Sequence, residues 1–104
     1  MKTPKTPTAP KTLSVEARGI WSRLHGEFAL ADAGAVEILD AGLHSFDTLR
    51  QAEALLKKDG IVVLDRYGTP KAHPAADIAR QARAQWLAAL RMLGLHAQGD
   101  EEGV

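Results

Sequence analysis

The 104 residues include no cysteine and carry 13 basic against 13 acidic side chains, which excludes disulfides, thiolate metal sites and a uniformly basic nucleic-acid coat. A chain this short is at most one domain, and no apolar run in it approaches the ~20 residues of a membrane span. The N-terminus lacks the apolar core of a signal peptide, so a soluble cytoplasmic protein is expected.

Residues 1–13 open as MKTPKTPTAPKT, rich in proline and threonine, and are expected to form a disordered basic arm. Lys2, Lys5 and Lys11 lie on this acid-free arm, where they can follow phosphates without a fixed shape or simply solubilise the chain. A helical domain is expected over residues 14–96, interrupted by a β-hairpin at 61–72 and followed by an acidic tail at 97–104. Its first helix runs from about Ser14 to Phe28, capped by the Ser14 hydroxyl, with Ile20, Trp21, Leu24 and Phe28 on one apolar face. Core packing is the preferred reading of Trp21 and Trp86 over base stacking. Gly19 marks either a close backbone approach or a neutral position.

Asp32 opens the second helix and Gly60 closes it. The apolar positions Val36, Leu39, Leu43, Phe46, Leu49, Ala52 and Leu56 recur at helical spacing. One unbroken helix is favoured over a kink at Gly42 or Ser45, and it spans ~40 Å. A compact globule of about 80 residues has a radius of gyration near 12 Å, so such a helix must overhang it. From these dimensions an oligomer is expected, with Leu39, Leu43, Phe46, Leu49 and Leu56 at the subunit interface.

The stretch from Gly60 to Pro74 breaks the helical pattern. Ile61–Leu64 is a β-branched and aliphatic run, Gly68 offers positive φ for a turn, and His73-Pro74 ends the second strand and starts a helix. That third helix runs from about Pro74 to Leu93, with Ile78, Ala82, Trp86, Ala89 or Leu90, and Leu93 expected on its buried stripe. Arg80, Arg83 and Arg91 fall within about 80° of one another on the helical wheel. They can meet phosphate, or pair with acids of the second helix such as Asp40 and Asp47.

No catalytic constellation is present. There is no phosphate-binding glycine loop and no H-E-x-x-H, and His25, His44, His73 and His96 are not at metal-ligand spacing. No metal and no cofactor are therefore expected. His73 reads as a junction residue held by hydrogen bonds, and Asp65 as a turn acid. Charge is segregated: residues 1–31 carry five basic and two acidic groups, residues 32–60 three and six, and residues 61–99 five and two. Two basic zones flanking an acidic helix suit a protein that touches nucleic acid with part of its surface.

The order of these parts resembles the small subunit of phage terminase, in its short class with a hairpin between two helices. Trp21, Asp32, Leu49, Ala52, Gly60, Gly68, His73-Pro74 and Leu93-Gly94-Leu95 carry the resemblance, over roughly residues 18 to 95. Family members often continue with Thr-Pro and a basic segment, where this chain reads His96-Ala97-Gln98-Gly99 and turns acidic. The resemblance implies a mainly α, ring-forming homo-oligomer of phage or prophage origin in the host cell cytoplasm. It implies a non-catalytic protein that recognises double-stranded viral DNA and loads the large terminase subunit, the ATPase and nuclease. DNA contacts are then expected from Lys2, Lys5, Lys11, Arg18, Arg23, Arg80, Arg83 and Arg91. The tail Asp100–Val104 would contact the large subunit or be plain solvated terminus. The alternative is a helical oligomerisation or adaptor module without DNA binding.

Overall fold

A computed structural model of the chain describes residues 7–28, 30 and 32–95. Three helices and one hairpin follow in the order α1 (Val15–Glu27), α2 (Ala33–Asp59), β1 (Val62–Leu64), β2 (Pro70–Ala72) and α3 (Pro74–Met92). Local chemistry sets each boundary. The Ser14 hydroxyl accepts from Ala17 N–H at 3.0 Å and starts α1, and the Asp32 carboxylate accepts from Ala35 N–H at 2.8 Å and starts α2. Gly60, at φ 84°, ends α2. At the far end of α3, Gly94 N–H reaches Arg91 O and Leu95 N–H reaches Leu90 O, with Gly94 at φ 74°. This paired closure satisfies the last carbonyls and turns Leu95 back onto the core.

α2 is a single helix of 27 residues, and α3 lies antiparallel along it. Gly42 is not a kink. A Cβ placed there would stand 2.6 Å from the Ala89 Cβ and 3.2 Å from the Trp86 ring, so Gly42 lets α3 approach closely. Gly19 has nothing within 4 Å of such a Cβ and serves no close approach.

The core has two parts. Leu13, Ala17, Trp21, Leu30, Leu39, Leu43 and Phe46 form the larger, with Trp86 packed edge-on against Phe46 at 5.6 Å between ring centres. Leu49, Ala52, Ala75, Ala79 and Ala82 form the second, between α2 and α3 alone. The buried stripe of α3 is thus Ala75, Ala79, Ala82 and Ala89, whereas Ile78 is 48% exposed. Alanines allow the two backbones to come together, and the bulkier Ile78 is displaced to the edge of the contact.

Two expectations are corrected by this packing. Residues 7–13, expected to be part of a disordered arm, lie on the fold: Leu13 is buried, and the Trp21 indole N–H donates to the Pro7 carbonyl at 2.8 Å. Thr12 and Ser14 add hydrogen bonds to His44 and Asp47 of α2. The second correction concerns the subunit interface. Leu39, Leu43, Phe46 and Leu49 are buried inside their own chain, under α1, Leu13 and α3, and Leu56 is half-buried beside the alanine cluster. A stripe covered in this way is not open to a second subunit. The estimate from a compact globule failed because α3 covers α2 lengthwise; the molecule is a plank of 67 × 39 × 19 Å, with a radius of gyration of 17.5 Å.

β1 and β2 pair antiparallel, Val62 with Ala72, Val63 with Lys71 and Leu64 with Pro70. Asp65 builds the turn: its carboxylate accepts from the Tyr67 and Thr69 amides, and Gly68 takes φ 78°. His73 clasps the base. Its N–H donates to Ile61 O at 2.7 Å and its Nδ1 accepts from Ala75 N–H at 2.9 Å, which caps α3. With Nδ1 accepting, the neutral ring carries its proton on Nε2 and donates to the Asp59 carboxylate at 2.9 Å.

Candidate nucleic-acid interface

The basic side chains divide into those already neutralised and those facing solvent alone. Arg80 pairs with Asp77 within α3, and Arg83 reaches across to Glu53 of α2 at 3.4 Å. Neither meets Asp40 or Asp47, the acids named from the sequence. Asp40 sits 3.1 Å from the His44 imidazole, and Asp47 accepts from the Ser14 N–H and hydroxyl. Arg50, between these groups, bonds Glu53 at 2.8 Å and Glu16 at 3.3 Å and stacks over the Phe46 ring at 4.8 Å. The Glu53 carboxylate, then Glu16, holds the Arg50 guanidinium above its ordinary pKa. Arg50 therefore ties α1 to α2 as a fixed charge and is spent on structure.

Lys11, Arg18, Arg23 and Arg91 are exposed and make no ion pair among the described residues. Lys11 precedes α1, Arg18 and Arg23 lie on α1, and Arg91 lies in the last turn of α3. Lys2 and Lys5 fall outside the described residues, as does the acidic tail. Of the cations expected to bind DNA, the described ones thus divide into the paired Arg80 and Arg83 and the unpaired Lys11, Arg18, Arg23 and Arg91. The sequence overlooked Lys57, Lys58, Arg66 and Lys71, which cluster around the hairpin and are also unpaired among the described residues. Their signal was available: two lysines close α2, and two more cations occur in the hairpin itself.

The remaining chemistry is structural. His25 donates from Nδ1 to Trp21 O at 3.0 Å and packs on the Trp21 ring at 4.8 Å, and Trp21 is buried. Base stacking by Trp21 is therefore closed off in this fold. Among the described residues no group of three or more His, Asp or Glu side chains is placed to hold a metal ion. None of the described helices is long and apolar enough to cross a membrane. α2 carries Glu37 and Asp40 in its first half and Asp47 just past its middle, acids that a DNA groove would repel.

A family model described as phage terminase, small subunit, matches residues 17–99. The chain belongs to that family. The matched span contains all three helices and the hairpin apart from the first two residues of α1. No curated protein and no solved structure matches the chain. Membership in the terminase small subunit family supports a role in phage genome packaging.

Proposed function

We propose that this terminase small subunit is the non-catalytic, DNA-recognising component of viral genome packaging in the host cytoplasm. It acts as a homo-oligomeric ring that places double-stranded DNA before the large subunit, which supplies ATP hydrolysis and cleavage. The family match over residues 17–99 carries this reading. The unpaired cations support it: Lys11, Arg18, Arg23 and Arg91 are free to meet phosphate, whereas Arg80 and Arg83 would first have to leave Asp77 and Glu53. Such exposed pairs are worth at most about 1 kcal/mol each, so phosphate can still compete for them. In a ring, several weak basic surfaces act on one duplex, and multivalency provides the affinity that one subunit lacks.

The test is an electrophoretic mobility shift with double-stranded DNA from the cognate phage at several salt concentrations. Binding should weaken with salt at a log–log slope near −0.9 per phosphate contacted. Replacing Lys11, Arg18 and Arg23 together with glutamine should flatten that slope. Wild-type protein that binds no DNA even at low salt would defeat the DNA-recognition reading and leave a helical adaptor in its place.

A further inference from the structure

The hairpin presents an apolar face that the described residues leave uncovered. Strand pairing puts Val62 opposite Ala72 and Leu64 opposite Pro70, so these four side chains share one face. Val62 is 60% and Leu64 67% exposed, Pro70 and Ala72 are exposed, and Tyr67 at the tip is 79% exposed. Val63, on the other face, is half-buried. A two-stranded hairpin is marginal in water by itself, and a contiguous exposed apolar face marks a contact surface.

The surrounding charge selects the partner. Lys57, Lys58, Arg66 and Lys71 frame the hairpin, and the acids nearby are occupied, Asp59 by His73, Asp65 by the turn amides and Asp77 by Arg80. Two hairpins meeting about a two-fold axis would bring these cations together, which costs several kcal/mol for close like-charge pairs. The complement lies at the opposite end of the same molecule. There, a groove of about 360 Å³ is lined by Leu30, Ala35, Ile38, Met92 and Leu93, with Asp32 at its edge. Met92 is 70% exposed. Asp32 caps α2 there and Asp40 faces His44, while the exposed Glu27 and Glu37 add negative charge toward that end, against Arg23 and Arg91.

We propose that the basic hairpin of one copy docks its Val62–Leu64 face in the Leu30–Met92 groove of the next copy. The two sites lie at opposite ends of α2, ~40 Å apart, so a chain cannot satisfy its own hairpin. The contact is heterologous: each copy uses one end to give and the other to receive, and repetition closes a ring or extends a fibre. It deepens the ring part of the proposed function by assigning its interface to the chain's two ends, and it is tested apart from DNA binding.

The experiment is multi-angle light scattering on full-length protein at micromolar concentration, with circular dichroism to confirm folding. The hairpin variant V62S/L64S removes only exposed side chains, and Met92→Lys places a cation in the groove. Each variant should keep its helicity while its mass falls from a multiple of 11.2 kDa to a single chain. Mixing the two variants should then form a complex of two chains and no larger, because each retains one intact half of the interface. A wild-type monomer, or variants that assemble as wild type does, would overturn the proposal. So would two folded, monomeric variants that fail to combine, which shows that the hairpin and the groove do not meet each other. A hairpin variant that keeps its mass but loses the mobility shift would reassign this end to DNA and likewise overturn it. Oligomers that respond as expected while wild type binds no DNA would uphold the docking and sink only the DNA-recognition reading.

Discussion

The half of the protein around α1 and the half around the hairpin use one helix, α2, in opposite ways. Toward its start, α2 contributes Leu39, Leu43 and Phe46 to a core that also takes Leu13, Trp21 and Leu30 from other segments. Toward its end, the contact is Leu49 and Ala52 against Ala75, Ala79 and Ala82, and beyond it the hairpin has no core beneath it among the described residues. Apolar burial is worth roughly 25 cal/mol per Å², so large side chains stabilise the first half far more than alanines stabilise the second. The alanine half gains close backbone approach instead, and leaves its own apolar groups, Val62 and Leu64, for something else to cover.

Leu43 is fully buried in the larger core, and its truncation should produce the largest effect. Leu43→Ala is expected to cost about 2–5 kcal/mol in urea denaturation. A cost below about 1 kcal/mol would mean that the two halves are not as unequal as their side chains suggest. Where α3 crosses the larger core, Gly42→Ala should destabilise by about 1–3 kcal/mol despite the better helix propensity of alanine, because the new methyl meets Ala89 and Trp86. A stabilised variant would show that α3 can shift away freely, and that the close approach is incidental. The smallest global effect is expected in the hairpin. Gly68 has φ 78°, and Gly68→Val should cost about 1 kcal/mol or more. Amide exchange should register it as faster exchange at Val63 and Lys71, with α2 amides near Leu43 unchanged. Loss of protection throughout α2 would mean that the hairpin is part of the cooperative core.

Helix boundaries were legible because their signals are local. Ser14, Asp32 and Gly60 cap where their side chains or backbone freedom say they should, and Asp65 with Gly68 forms the turn. His73 is the junction residue expected, although its bond to Asp59 needed the fold to bring residues 14 positions apart together. What the sequence concealed was inter-helix distance. Periodicity identifies which residues share a face but not how close the facing helix comes, so Ile78 was placed inside and Ala75 and Ala79 were missed. For the same reason, Leu39, Leu43, Phe46 and Leu49 read as surplus apolar surface when α1, Leu13 and α3 already cover them. Of the candidate site, residue type was readable and pairing was not. Arg80 and Arg83 look identical to Arg91 on a helical wheel, yet among the described residues only the first two have a carboxylate within reach.

The crossing at Gly42 also gives α2 unequal leverage. With Ala89 pressed against it, α2 cannot come closer to α3 at this point, which can therefore serve as a fulcrum for a tilt between them. It stands about 14 Å from the start of α2 and about 26 Å from its end. A tilt of α2 about that point therefore swings the hairpin nearly twice as far as the acidic end, in the opposite direction. Small adjustments at the well-packed end are magnified at the end that carries the exposed strands.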